Sequence, residues 1–103
     1  MITVIIPVKE NDSHIDFCLK AIYKNEVYPL EIIVVLDGWN RTFNEIPKTI
    51  DLTIIEAEKK GPAYCRNLGA MKAKYDLICF IDSDVEIYDN ALEIALNTIS
   101  AHS

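Results

Sequence analysis

Isoleucine and valine are bunched in this chain of 103 residues, and the bunches recur at intervals. Residues 3–8 and 31–36 are short, nearly continuous apolar runs, residues 77–81 form another, and residues 52–56 form a weaker one. Continuous apolarity, as opposed to strict alternation, suits a strand buried on both faces, and such strands belong to parallel sheets. Parallel neighbours cannot be joined by a tight hairpin; each pair needs a crossover, usually a helix. The intervening segments supply these crossovers. After Asn11, Asp12 and Ser13, all good N-caps, Ile15, Cys18, Leu19 and Ile22 recur at helical spacing, and the pattern stops before Pro29. Pro62 suits a first helical turn, where its missing N–H is not needed, so residues 63–74 read as a second helix. A third starts near Asp89, with Leu92, Ala95, Leu96 and Ile99 on one face. Residues 39–50 are polar and irregular, with room for one helical turn. This alternation predicts an α/β fold: an open, mostly parallel sheet of four strands, covered by three helices on both faces.

Composition removes several classes. Half of the residues are hydrophobic and a quarter are charged, the balance of a globular protein, and the length suits one domain with one core. Ten basic residues against 16 acidic ones give a net charge of −6. Holding a nucleic-acid backbone needs a basic face, so no nucleic-acid partner is expected, although a phosphate can still be held by backbone amides, one arginine or a metal ion. The longest apolar run, residues 32–36, is far below the ~20 residues of a membrane helix. The first residues lack a basic segment and meet Pro7, unlike a signal peptide. Cys18, Cys65 and Cys79 are odd in number and show no CxxC spacing. They read as small core residues in a reducing, cytoplasmic setting, without a disulfide framework or zinc site.

Open parallel sheets bind ligands at the carboxyl ends of their strands, and every predicted strand ends in polar chemistry. The first ends in Pro7-Val8-Lys9-Glu10 and the second in Asp37-Gly38. The third leads to Gly61 and a helix start carrying Arg66, and the fourth ends in Asp82-Ser83-Asp84. Asp82 and Asp84 are two residues apart where an extended strand gives out, so both carboxylates project the same way. A hard divalent cation relieves their repulsion, and one or two carboxylates plus phosphate oxygens is a usual way to hold Mg²⁺. The competing reading is a solvated turn, with Asp84 or Asp89 capping the next helix. Asp37 reads either as a plain turn residue or as an acceptor for a base or ribose. At the helix start, backbone amides and the dipole favour an anion, and Arg66 adds a planar cationic fork; otherwise Arg66 pairs with Glu56 or Glu58. Lys59 and Lys60 read as a solvated loop able to attract an anion. Trp39 caps the core or flanks the site. His14 and His102 suggest no nucleophilic triad.

In order along the chain, Ile5-Ile6-Pro7-Val8-Lys9-Glu10-Asn11, Ile32-Ile33-Val34-Val35-Leu36-Asp37-Gly38, Gly61-Pro62-Ala63-Tyr64-Cys65-Arg66-Asn67-Leu68-Gly69 and Phe80-Ile81-Asp82-Ser83-Asp84 resemble four motifs of the family 2 glycosyltransferases of the GT-A fold. Leu36, Trp39 and Arg41 depart from the family's Asp-Asp-Gly-Ser pattern and the acid that often follows it. The resemblance implies a Rossmann-like nucleotide-binding half with strand order 3-2-1-4. It implies that Pro7, Val8, Glu10 and Gly61 line a nucleotide pocket, that Asp37 accepts from a uracil-type base, and that Arg66 lies near the base or diphosphate. Asp82 would touch the ribose or donor sugar and join Asp84 at Mn²⁺ or Mg²⁺. The implied reaction is transfer of a sugar from a UDP- or GDP-type donor to an acceptor hydroxyl, with inversion. In this family an acceptor-binding half and the catalytic base follow the Asp-x-Asp segment. Residues 1–103 are therefore expected to be one domain, the donor half, with the base beyond Ser103 and the acceptor half absent. A cut sheet leaves an edge open to self-association, and any attachment to the inner face of a membrane would come through parts not present here. The alternatives are a non-catalytic nucleotide-sugar-binding module and a sugar nucleotidyltransferase, although Lys9-Glu10-Asn11 lacks the glycine-rich loop of the latter. A phospho-acceptor signalling domain is disfavoured, because the acids follow strands two and four.

Overall fold

In the computed structural model the elements run β1 (Ile2–Lys9), α1 (Ile15–Tyr23), β2 (Leu30–Asp37), β3 (Asp51–Ala57), α2 (Pro62–Lys72), β4 (Ile78–Phe80) and α3 (Ala91–His102). Residues 1–25, 29–44 and 46–102 are described, with side chains to residue 97. The four strands are parallel and lie in the order β3-β2-β1-β4, the order that the family resemblance implies. β1 and β2 pair along their whole length, from Ile2 opposite Leu30 to Lys9 opposite Asp37.

Period-two alternation explains why the two central strands are apolar without a break. Ile2, Val4, Ile6 and Val8 of β1, with Leu30, Ile32, Val34 and Leu36 of β2, turn to one face and pack on Ile15, Cys18, Leu19 and Ile22 of α1 and Leu92 of α3. Ile5, Ile33 and Val35 turn to the other face and meet Cys65 of α2. Both faces are buried, so both parities are largely apolar, with Thr3 and Glu31 the buried polar exceptions at the start of the strands. Each large apolar side chain taken from water this way contributes roughly 1.5–3 kcal/mol. β3 is an edge strand with Ile54 and Glu56 exposed, which accounts for its weaker apolar pattern. Ile99, expected on the buried face of α3, lies beyond the described side chains.

One charged residue is buried within this frame. Glu31 Oε1 accepts from Thr3 Oγ1 at 2.7 Å and from the Lys74 backbone N–H, just past the end of α2, at 2.8 Å. At the same end of the molecule, Asn25 donates to the carbonyls of Ala21 and Tyr88 and accepts from the Leu92 N–H. These bonds tie α1 to the entry of α3.

Local details differ from the sequence reading where tertiary contacts decide. β4 is a three-residue strand and not residues 77–81, yet Leu77 still accepts from Thr3 N–H and Ile81 N–H still donates to Ile5. α1 starts from His14 without a side-chain cap; instead Asp12 Oδ1 accepts the His14 N–H at 2.8 Å. Residues 39–50 form no helix among those described, only a turn closed by Ile50 N–H on Pro47 O.

α2 approaches the sheet closely through Gly69. A Cβ there would lie 2.5 Å from Ile5 Cγ2, a branched carbon held in the core. Gly→Ala normally gains about 1 kcal/mol of helix propensity, whereas overpacking costs about 1–3 kcal/mol. Gly69→Ala is therefore expected to be net destabilising. Thermal denaturation should show a midpoint several degrees below the parent; a midpoint raised by the substitution would contradict this packing.

Candidate functional site at the carboxyl rim of the sheet

Parallel pairing brings the ends of β1, β2 and β4 to one rim, where an open cleft of about 620 Å³ forms. Among the residues lining it are Pro7 and Val8 from β1, Asp37 from β2, Gly61 before α2, and Asp82 and Asp84 after β4. Six of the residues singled out from the sequence thus share one cavity. Glu10 does not line it; its carboxylate faces Lys59 Nζ at 3.4 Å. Arg66 also lies outside the lining, but reaches from α2 to Asp82 Oδ1 at 3.4 Å. It does not pair with Glu56 or Glu58; Lys60 takes Glu58 and lies over the Tyr64 ring.

Asp37 carries the parity of Ile33 and Val35, so its side chain emerges on the α2 side. Its Oδ1 accepts the backbone N–H of Lys60 at 3.1 Å and of Gly61 at 3.3 Å. The carboxylate thereby fixes the loop that starts α2. Gly61 has φ +93°, a left-handed conformation that glycine adopts at little cost, and Pro62 then occupies the first turn. First-turn amides have no acceptor within their own helix, so this end of α2 presents positive partial charge to the rim.

The acidic segment after β4 is a tight turn, closed by Val85 N–H on Asp82 O at 3.0 Å. Asp82 and Asp84 are exposed, while Ser83 is buried between them. Ser83 Oγ donates to Asp12 Oδ2. Burial works against ionising Asp12, but the Ser83 hydroxyl and the His14 amide and ring outweigh it and hold the carboxyl below its usual value of 3.8. Asp84 has no hydrogen bond or ion pair among the described residues.

The donor set suits a cation shared with a ligand better than a cage built by the protein alone. Among the described residues no three His, Cys, Asp or Glu side chains gather as a metal site. Asp84 and Asp82 are the exposed carboxylates at the rim that could supply hard oxygen to a divalent cation, which proteins usually hold through one or two carboxylates together with phosphate oxygens and water.

Asp12, Ser83, Lys9, Lys59, Pro62 and His14 also line the cleft and were not among the expected site residues. Ser83 had a legible signal: if Asp82 and Asp84 project outward, the residue between them points in. Trp39 does not line the cleft; its Nε1–H donates to Val8 O at 3.0 Å while its ring packs against the core. Cys18 lies beneath the acidic turn. Burial, and then the charges of Asp12, Asp84 and Asp82, push its thiol up to about 12. Burial and Asp37 push Cys65 up to about 11. Only the thiolate is nucleophilic, so at pH 8 both should resist iodoacetamide in the folded protein and react after denaturation. Mass spectrometry would check this; fast native labelling of either would contradict the buried placement.

The comparisons with known proteins bear on the family and the fold. The sequence model for "Glycosyl transferase family 2" matches residues 3–103. An uncharacterized glycosyltransferase of Haemophilus influenzae is 32% identical over 113 residues, covering 94% of this chain and 41% of that protein. Glycosyltransferase GlyA of Streptococcus pneumoniae is 32% identical over 97 residues, covering 89% of this chain and 14% of its own. The chain therefore spans less than half the length of these relatives. Among solved structures, S. aureus TarS 1–349 in complex with UDP-GlcNAc superposes with a TM-score of 0.78 at 23% identity, over 98% of this chain and 31% of that one. The mannosyltransferase PcManGT of Pyrobaculum calidifontis, in complex with GDP-Man and Mn²⁺, gives a TM-score of 0.64 at 26% identity, over 81% of this chain and 27% of its own. With its motifs in sequence order and its strands in order 3-2-1-4, the chain belongs to glycosyl transferase family 2.

Proposed function

We propose that residues 1–103 form the donor-binding half of a glycosyltransferase, which holds a nucleoside-diphosphate sugar at the carboxyl rim for transfer to an acceptor hydroxyl with inversion. The observation that carries this reading is the placement of Asp37, Gly61, Asp82 and Asp84 around one cleft. Solved relatives of the same fold hold UDP-GlcNAc and GDP-Man, which supports a nucleotide-sugar as the ligand class.

Each residue has a role that its position allows. Pro7 and Val8 form the wall against which a base lies, and Asp37 accepts from the base. Gly61 lines the cleft with its N–H held by Asp37, and Pro62 has none, so the N–H groups of Ala63 and Tyr64 in the first turn of α2 are the backbone donors offered to the diphosphate. Arg66, through its reach to Asp82, adds a fixed positive charge next to the acidic turn. Glu10 borders the cleft from outside and holds Lys59 at its mouth. Asp84, assisted by Asp82, holds Mn²⁺ or Mg²⁺. That ion, when bound, offsets the charge that grows on the departing nucleoside diphosphate. Deprotonation of the acceptor is assigned to chain that the relatives carry and residues 1–103 do not cover. No helix among the described residues is long and apolar enough to cross a membrane.

Calorimetric titration with UDP, GDP and CDP, each with and without Mn²⁺, tests the reading. At least one is expected to bind, and more tightly with Mn²⁺. Asp84→Ala should remove the Mn²⁺-dependent gain, a loss of about tenfold for each 1.4 kcal/mol of lost interaction. Asp37→Ala should weaken binding whether or not the ion is present. Binding of none of the three nucleotides would defeat the proposal.

A further inference from the structure

We infer that Asp12 is a positioning residue for the acidic turn, acting through Ser83 to hold Asp82 and Asp84 at the rim of the cleft. The inference rests on the donor-site reading above. The problem it answers is mechanical. β4 pairs with β1 over only three residues, ending at Phe80 opposite Ile5, and the last backbone link from this segment to the sheet is Ile81 N–H on Ile5 O. Beyond it, Asp82 to Asp84 leave the ladder. The bond from Val85 N–H to Asp82 O fixes the turn's own shape but not its place against the sheet, and the exposed pair of Arg66 with Asp82 is long, at 3.4 Å.

The fixing comes from the loop between β1 and α1. Ser83 is 7% exposed, and its hydroxyl donates to Asp12 Oδ2. The other carboxylate oxygen of Asp12 is already set: Oδ1 accepts the His14 N–H at 2.8 Å and faces His14 Nδ1 at 3.4 Å. Asp12 is thus locked to the start of α1 by one oxygen and to the acidic turn by the other. A charge-assisted bond of this kind is stronger than a neutral one. Cys18 Sγ adds a weak contact to Asp82 O at 3.7 Å, again from α1. The tethered residue is buried while Asp82 and Asp84 on either side of it are exposed. Asp12 touches no ligand in this scheme; it acts by keeping Asp84 where a cation and a diphosphate can both reach it.

The test pairs two measurements on the 103-residue chain. The first is amide hydrogen exchange without any ligand. Asp12→Ala and Ser83→Ala should speed exchange at Val85 and its neighbours, leaving β1 and β2 as protected as in the parent. Ser83→Thr, which keeps the hydroxyl, should restore protection. The second is titration with UDP and with GDP, with and without Mn²⁺. Both alanine variants should lose about tenfold of the Mn²⁺-dependent gain, a larger loss with Mn²⁺ than without it, tenfold being 1.4 kcal/mol. General damage to the fold would lower both affinities together. Unchanged exchange at Val85 would overturn the tether. Faster exchange with an unchanged Mn²⁺ gain, in a protein whose gain is lost in Asp84→Ala, would overturn the positioning role while leaving the donor-site reading intact. If the parent binds neither nucleotide, the donor-site reading fails and the positioning role falls with it, whatever the exchange result.

Discussion

The pairing of β1 with β2 is the constraint from which the rest of the molecule follows. These strands lie side by side for eight residues, buried on both faces. Parallel pairing sends both carboxyl ends to the same edge, so Lys9 and Asp37 end opposite each other there. It also forces crossovers, and those place α1 and α3 on one face and α2 on the other. The starts of α1 and α2 are therefore near the rim, whereas α3 starts at the other end, where Asn25 accepts the Leu92 N–H.

Because the sheet is the rigid part, the chemistry is carried by segments that leave it. Each is tied down separately. Asp37 fixes the entry of α2 by accepting two backbone N–H groups. Trp39 fixes the exit of β2 against Val8. Asp12 and Ser83 join the loop after β1 to the turn after β4. The same carboxylates that suit a ligand thus serve the fold, which explains why a structural and a functional reading of Asp37 could not be separated by pattern alone. Among the rim acids, Asp84 stands apart in having no such tie among the described residues.

Much of this was legible in the order of residues. The central strands, the two-face burial and the three helices followed from hydrophobic period, and the order of the strands from the family resemblance. Errors fell at boundaries and caps. β4 is shorter than its apolar run because only three of its residues pair with β1. The cap of α1 shifted because Asp12 turned its carboxylate to the His14 amide while still serving Ser83. Cys18 and Cys65 are buried in the core as the sequence reading has them, while Cys79, on the edge strand β4, is only half-buried against it.

Hydrophobic period is a local property, so the sequence alone determined which residues form strands and helices, which faces are buried, and which polar groups stand at strand ends. Partner choice among those groups is not local. Arg66 takes Asp82 and not Glu56 or Glu58, and Asp12 meets Ser83 across 71 positions of chain. Those pairings depend on how far each loop rises above the sheet and on which strands are neighbours. Only the assembled structure sets these, because a hydrogen bond between distant segments is decided to within an ångström, whereas the apolar pattern specifies position only to a face.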